Sequence, residues 1–206
     1  MISSHQFFLF CLTSIVLIFT PGPDIIYVLT RGVAQGRNAA LAAAAGFSLG
    51  NIGHTLLAIC GISAILAASS LAFMLVKIAG GAYLIFIGVK LWQAETTLAL
   101  GAAGEHKGSW LIFRQSIVAN LLNPKVAIFF LAFFPQFIHP AQGNPALQMF
   151  ILGLTFVALT MLCFSVVALT AGMLNTRLLA CPSMSVWLHK GAGTILILLG
   201  LRLFWV

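Results

Sequence analysis

The chain contains 206 residues, of which 61% are hydrophobic and only 6% are charged. An ordinary soluble domain carries about 25% charged residues, and a mean hydropathy of +1.11 leaves too few polar side chains to cover a surface in water. The ten Lys and Arg residues outnumber the three acidic residues. They are dispersed singly between apolar runs, which argues against a nucleic-acid-binding surface. The composition therefore predicts a protein embedded in a lipid bilayer.

The four cysteines form no pattern that indicates chemistry. Cys11, Cys60, Cys163 and Cys181 are far apart and include no C-x-x-C pair, and a thiol in apolar surroundings packs as a small hydrophobic group. We therefore expect no disulfide, no metal site and no cofactor. Paired membrane cysteines, which a thiol-transfer protein needs, are absent from the sequence, and the scattered His, Asp and Cys residues make a poor ligand set for a divalent-metal exporter.

Six apolar runs are long enough to cross the roughly 30 Å hydrocarbon core of a bilayer, which takes about 20 helical residues. They cover residues 6–29, 40–66, 71–92, 114–138, 146–173 and 188–206. The first run continues well past the core of a signal peptide and has no small-residue cleavage site, so we expect a retained span. The chain is thus predicted to be an all-α integral membrane protein. It divides into a three-helix unit at 1–92, a cytoplasmic linker at 93–112 and a second three-helix unit at 113–206.

The basic residues predict the orientation of these spans, because Lys and Arg accumulate at cytoplasmic helix ends. Three links carry most of them: Arg31, Arg37, Lys90, Lys107, Arg114, Arg177 and Lys190. The opposite side has only Lys77 and Arg202 near helix ends. Both termini are therefore expected outside, with the long linker in the cytoplasm.

Matches between the two halves indicate an internal repeat. An offset of 103 aligns Pro21 with Pro124, and Phe47, Leu49 and Gly50 with Phe150, Leu152 and Gly153. An offset of 112 aligns Gly81, Leu84, Ile85, Gly88 and Leu91 with Gly193, Leu196, Ile197, Gly200 and Leu203. The matches keep their order across three helices, which favours a repeat over chance similarity. Because three helices enter and leave on opposite faces, the second copy must be inverted, and inverted repeats are typical of transporters.

Two proline motifs predict a break in helices one and four at similar membrane depth. The first reads Thr20-Pro21-Gly22-Pro23-Asp24, where two prolines remove backbone donors on either side of a glycine. The second runs from Asn120 to Asn123-Pro124-Lys125, where the asparagine amides can satisfy carbonyls that the kink frees. Irregular backbone at this depth persists only where protein or a wet cavity covers it.

Each break carries a charged residue. Asp24 is the only acid inside a predicted span, and Lys125 is the most deeply placed base. A charge at this depth costs at least about 2.5 to 3.5 kcal/mol, so it is a candidate functional residue whose partner should be sought. We expect the two residues to face each other. They form either a structural ion pair, or a site in which Asp24 exchanges a proton and Lys125 receives a substrate carboxylate.

The second span places further polar side chains within one helical turn. Asn51 and His54 lie there in an otherwise apolar run. A histidine at this depth can relay protons, and it can equally be a hydrogen-bonded packing residue. Both interpretations remain open from the sequence.

The motifs together resemble the LysE/RhtB family of amino-acid exporters. The resemblance rests on Pro21-Gly22-Pro23-Asp24 and on Asn123-Pro124-Lys125 with the Phe-rich stretch 133–137, and it includes the Gly-Gly-Ala-Tyr-Leu sequence at 80–84. It covers nearly the whole chain, including the central linker. It implies a bacterial inner-membrane protein that expels threonine, homoserine or other neutral or basic amino acids, coupled to the proton gradient.

We therefore predict a secondary transporter rather than an enzyme, with a small amino acid, protons and the lipid bilayer as its partners. The predicted substrate or coupling residues are Thr20, Pro21, Gly22, Pro23, Asp24, Asn51, His54, Asn120, Asn123, Pro124 and Lys125. The sequence leaves open whether the protein forms a homo-oligomer. The alternative is a membrane channel, or an exporter of another small solute or metal ion, in which the helix breaks are purely structural.

Overall fold

A computed structural model describes residues 2–68, 70–93, 107–180 and 182–205, and this part of the chain contains helices and no strand. The α-helices are α1 (Ser4–Phe19), α2 (Pro23–Gln35), α3 (Arg37–Ala68), α4 (Ser70–Trp92), α5 (Ser109–Leu121), α6 (Pro124–Ile128), α7 (Pro145–Ala180) and α8 (Pro182–Trp205). A π-helical turn, Phe129–Phe133, and a 3₁₀ turn, Phe134–Phe137, extend α6, and a second 3₁₀ turn at Pro140–Gln142 precedes α7.

Several of these helices are long and apolar enough to cross a membrane. Three single helices meet that description in the described residues, at Arg37–Gly61, Met74–Trp92 and Pro145–Ala171. Two bent pairs do so together: α1 with α2, at an angle of 58°, and α5 with the segment Pro124–Phe137, at 47°. The predicted span at 188–206 ends one residue beyond the described part of the chain. Most of the predicted linker at 93–112 lies outside the described residues.

The two bends coincide with proline at the first position of the following helix. Helix α2 starts at Pro23 with Gly22 as its N-cap, and α6 starts at Pro124 with Asn123 as its N-cap. Proline suits this position because its fixed φ is helical and its missing N–H would have no partner there. The two starts are 101 residues apart. Pro23, and not Pro21 as the offset of 103 predicts, therefore occupies the position that Pro124 holds in the second half.

Burial in α3 and α7 defines a second register. Twelve positions of α3 are buried between residues 39 and 58, and nine of them have a buried counterpart in α7 at an offset of 109. These nine are 39, 40, 43, 44, 47, 51, 54, 55 and 58, which correspond to 148, 149, 152, 153, 156, 160, 163, 164 and 167; the other three are 46, 48 and 50. The predicted offset of 103 is wrong here, because Phe47 is 1% exposed where Phe150 is 45% exposed. Leu49 and Leu152 differ in the opposite sense, at 44% and 0% exposed. The offsets 103 and 109 differ by six residues, which turn a helix by about 240°, so these matched Phe and Leu residues lie on different faces.

Glycines bring two helix pairs into close contact. In the pair of α4 and α8, Gly81 lies against Gly200 and Gly88 against Gly193, so closely that an added Cβ at Gly88 would stand 2.7 Å from the Gly193 carbonyl oxygen. In α3, a Cβ at Gly50 would stand 2.6 Å from Oδ1 of Asn120. Backbones can approach this closely only where side chains are small. The second contact places the end of α5, at the break, directly beside α3.

Candidate functional site at the helix breaks

An ion pair joins the two helix breaks. The Nζ atom of Lys125 lies 3.0 Å from Oδ1 of Asp24, and both side chains are 5% exposed. Asp24 belongs to the first turn of α2, where the aligned peptide dipoles favour a negative charge. The pair connects residues 101 positions apart in sequence and so fastens the first half of the chain to the second.

The break in α1 supplies further partners for the Lys125 ammonium. Lys125 also donates to the carbonyl oxygens of Thr20, at 3.2 Å, and Leu17, at 3.4 Å. Both carbonyls lie at the C-terminal end of α1, where helical N–H donors run out. The carbonyl of Leu17 also accepts the backbone N–H of Thr20 at 3.2 Å, and that of Thr20 lies at the C-cap. The ammonium thus has three acceptors, and a buried charge needs such partners.

Gly22 allows this arrangement through its lack of a side chain. A Cβ at this position would stand 2.9 Å from Oδ1 of Asp24 and 3.0 Å from Nζ of Lys125. Its φ of −165° is ordinary extended backbone, so the requirement for glycine comes from space. A larger residue would push the two charges apart.

Asn123 fixes the start of α6. Its side-chain Oδ1 accepts a hydrogen bond of 3.0 Å from the backbone N–H of Lys125, which is a standard N-cap contact. Its Nδ2 is buried and has no partner among the described residues. Asn123 therefore sets the backbone that carries Lys125, and keeps one unused donor.

Asn51 and Asn120 leave two acceptors unused. Asn51 donates from Nδ2 to the hydroxyl oxygen of Thr160, at 3.1 Å, but its Oδ1 has no partner in the described part of the chain. The Oδ1 of Asn120 is likewise buried without a described partner. Buried polar atoms are rarely left in this state, so these two oxygens are available to a ligand or to water.

His54 holds the end of α5 in place. Its Nε2 lies 3.0 Å from the carbonyl oxygen of Asn120, and its ring stacks on Phe130 with centroids 5.5 Å apart. Because a carbonyl oxygen only accepts, Nε2 must carry the proton. His54 thus links α3 to the segments on both sides of the second break.

A small cavity lies between these residues. Its lining combines polar residues from both halves, namely Asp24, Asn51, Asn120, Lys125 and Thr160, with apolar Leu17, Ile18, Val126, Phe156 and Phe164. It offers about 10 Å³ to the centre of a water molecule, which is room for roughly one water. An amino acid does not fit, so the structure is closed around this site.

The predicted residues fall into three groups in the structure. Asp24, Asn51, Asn120 and Lys125 line the cavity, and Thr20 contributes its carbonyl oxygen to Lys125. The remaining predicted residues set the backbone or support these side chains: Pro21, Gly22, Pro23, His54, Asn123 and Pro124.

Sequence reasoning did not identify Thr160 as a cavity residue. A hydroxyl in an apolar span does not by itself indicate a cavity residue, because Thr155 and Thr170 also lie in this span and do not line the cavity. All three hydroxyls bond to a carbonyl of the preceding turn, and only that of Thr160 also meets Asn51. The register of α7 against α3 decides which threonine reaches the cavity.

Comparison with known proteins places the chain among membrane proteins that resemble it over nearly its full length. The homoserine/homoserine lactone efflux protein of Salmonella typhimurium is 33% identical over 193 residues, which cover 94% of this chain and 93% of that protein. An uncharacterized membrane protein of Vibrio cholerae is 30% identical over 200 residues, covering 97% and 96%. The leucine efflux protein of Klebsiella pneumoniae is 30% identical over 165 residues, covering 80% and 77%. No solved structure matches the chain significantly.

The family predicted from the two proline motifs is confirmed by a direct match. The sequence model of LysE type translocators aligns with residues 15–205, which include both helix breaks and all the residues that line the cavity. The chain belongs to the LysE type translocator family.

Proposed function

We propose that this protein is a secondary transporter that exports a small amino acid across the bacterial inner membrane in exchange for protons. The relatives named for homoserine and leucine efflux support amino-acid export. The distribution of basic residues supports an orientation with both termini outside and the linker in the cytoplasm.

The ion pair between Asp24 and Lys125 is the observation that carries this proposal. A zwitterionic amino acid presents an ammonium and a carboxylate, which are the two groups that this pair already brings together at 3.0 Å. In the open site, the substrate ammonium takes the place of Lys125 beside Asp24, and the substrate carboxylate takes the place of Asp24 beside Lys125. The unused amide atoms of Asn51, Asn120 and Asn123 supply further hydrogen bonds.

The names of the relatives are consistent with a central role for Asp24. Homoserine and its lactone both carry an ammonium, whereas only homoserine carries a free carboxylate. A site that accepts both compounds must rely on its contact with the ammonium, and Asp24 is the group of matching charge in this cavity.

Pseudo-symmetry supports alternating access as the mechanism. With an offset of 112, Gly193 is the counterpart of Gly81 and Gly200 that of Gly88. The contacts of Gly81 with Gly200 and of Gly193 with Gly88 are therefore one contact made twice, as a two-fold axis requires. We infer two inverted three-helix repeats, which exchange conformations to open the site to either side.

The same axis would pass through the site. Asp24 and Lys125 each occupy the second position of their helix, and they contact each other. Asn51 and Thr160 are counterparts at the offset of 109, and they also contact each other. A site on the axis is reached equally by both repeats. It can therefore be exposed to one side and then to the other without moving within the protein.

Proton coupling follows from competition at Asp24. A proton and a substrate ammonium neutralise the same carboxylate, so they exclude each other. A transporter that changes sides only when a proton or a substrate ammonium is bound to Asp24 carries one or the other, and the result is antiport without a second proton site.

The proposal is tested by transport in liposomes that contain the purified protein. A panel of amino acids is measured with and without an imposed pH gradient, for the wild type and for Asp24→Asn and Lys125→Met. The control is Lys77→Met, which removes a partly exposed charge that belongs neither to the ion pair nor to the lining of the cavity. We expect gradient-driven movement of one class of amino acid, retained in Lys77→Met and lost in the other two variants.

Two outcomes would overturn the proposal. Movement that ignores the pH gradient in the wild type would indicate a channel. No movement of any amino acid would indicate another solute, with the ion pair serving only to fasten α1 and α2 to α6.

A further inference from the structure

A second buried cation lies on the α2 face that carries Asp24. Arg31 is 7% exposed, and among the described residues only Arg31 and Lys125 are buried Lys or Arg side chains. Arg31 follows Asp24 by seven residues, which is about two turns or 10 Å along the helix. Val28, which lies between them on the same face, is fully buried. This buried face runs from the ion pair towards the end of α2 that the charge distribution assigns to the cytoplasm.

The neighbours of Arg31 that the structure describes supply no negative charge. Its Nη1 donates to Oε1 of Gln35 at 3.2 Å, and its guanidinium lies 5.0 Å from the centroid of the Tyr27 ring. The Tyr27 hydroxyl and the Lys107 ammonium both donate to Oε1 of Gln115, at 3.4 and 3.3 Å. The described groups at this end of the protein are thus hydrogen-bond donors, cations and amides.

Keeping a guanidinium buried in such surroundings is unfavourable, because desolvation of an ion costs several kcal/mol unless an opposite charge compensates it. The only side-chain carboxylate in the described part of the chain is that of Asp24, and it forms its ion pair with Lys125 and not with Arg31. The planar fork of an arginine matches a carboxylate with two parallel hydrogen bonds, and it is the preferred side chain for that ligand.

We propose that Arg31 is a docking site for the α-carboxylate of the substrate at the cytoplasmic mouth, two helical turns before the ion pair. The inference rests on the proposed export of amino acids and adds a substrate requirement to it. The carboxylate binds Arg31 first and then passes to Lys125 when Asp24 takes the ammonium. Compounds without a carboxylate bypass this step and depend on Asp24 alone.

The experiment uses inside-out membrane vesicles that contain the full-length protein, because their outer surface is the cytoplasmic face. Proton-driven uptake of the amino acid that the wild type exports best is measured over a range of concentrations. The carboxamide of the same amino acid, which keeps the ammonium but lacks the carboxylate, is measured as a competitor. The variants are Arg31→Gln and Arg31→Lys.

We expect Arg31→Gln to raise the half-saturating concentration of the amino acid by about tenfold or more, as the loss of a charge-assisted hydrogen bond predicts. The inhibition constant of the carboxamide should stay unchanged. Arg31→Lys should give an intermediate shift for the amino acid alone, because it keeps the charge and loses the fork. This conservative variant also keeps the test valid if Arg31→Gln does not fold.

Other outcomes contradict the inference in distinguishable ways. If Arg31→Gln raises the half-saturating concentration of the amino acid and the inhibition constant of the carboxamide equally, or changes neither, Arg31 has a structural role. The proposed function is then left intact. Glu95→Gln combined with Glu105→Gln, which removes the other two acids of the sequence, should leave the amino-acid uptake constant unchanged. If this double variant raises the half-saturating concentration of the amino acid as much as Arg31→Gln does, a linker carboxylate is the partner of Arg31. Absence of uptake by wild-type vesicles would overturn the proposed function together with this inference.

Discussion

The imidazole of His54 and the carbonyl of Asn120 are joined by a hydrogen bond of 3.0 Å that spans α3 and the last turn of α5. The carbonyl belongs to a helix that ends at Leu121, where helical N–H donors run out. It accepts the backbone N–H of Asn123, at 2.9 Å, and the imidazole supplies a further donor. The same imidazole stacks on Phe130, beyond the break. His54 therefore holds together the two segments that the break separates.

Substitutions of His54 should distinguish the contribution of its hydrogen bond to stability from that of its ring packing. His54→Phe keeps a ring against Phe130 but removes one of the donors to the Asn120 carbonyl, which then keeps the backbone N–H of Asn123 at 2.9 Å. The variant should lower the free energy of unfolding by about 0.5–1.5 kcal/mol. His54→Gln supplies an N–H donor and should lose less. Thermal unfolding of the purified variants in detergent measures the difference, and equal stability of His54→Phe and the wild type would contradict this role.

The ion pair should be separable into a stability effect and a transport effect. Asp24→Asn or Lys125→Met alone leaves one buried charge without its partner and should lower the free energy of unfolding by about 3–5 kcal/mol. The double variant removes both charges and should recover most of that loss, yet it should export nothing. Unfolding measurements together with liposome transport test both parts, and gradient-driven export by the double variant would refute the assigned role.

Asn123 should act through the N-cap of α6. Asn123→Ala removes the acceptor for the Lys125 backbone N–H and should destabilise the protein by about 1 kcal/mol. Asn123→Ser keeps an acceptor at this position and should retain most of the stability. If the two variants unfold at the same temperature, the cap contributes nothing to the second break.

The glycine contacts between α4 and α8 should tolerate no side chain. A Cβ at Gly193 would lie 2.5 Å from the carbonyl oxygen of Gly88, so Gly193→Ala should destabilise by about 1–3 kcal/mol through overpacking. Gly191, two residues earlier in α8, has nothing within 4 Å of an added Cβ. Gly191→Ala is therefore the matched control, and it should be neutral or stabilising by up to about 1 kcal/mol through helix propensity. Equal unfolding temperatures for the two variants would show that the helices are not in close contact.

The sequence by itself predicted the features that depend on a residue's own chemistry or on its immediate neighbours in the chain. A composition with 6% charged residues requires lipid around the chain, and prolines next to glycine or asparagine interrupt a helix wherever it is placed. The same reasoning marked Asp24 and Lys125 as partners, because two isolated charges of opposite sign in apolar spans each need a counter-charge. The resemblance to the LysE/RhtB family rested on these same motifs in the same order, and the match of the family model to residues 15–205 confirms it.

Other features depend on how helices are rotated against one another, and only the tertiary structure decided them. Letter matches suggested an offset of 103 for the second helix of each half, whereas burial gives 109, because a repeated residue type carries no information about which face it lies on. The contact between Asn51 and Thr160 follows from that register. The closure of the cavity to about the size of one water follows from the packing of several helices at once. A sequence specifies such packing only through all of its contacts together, so no single motif reveals it.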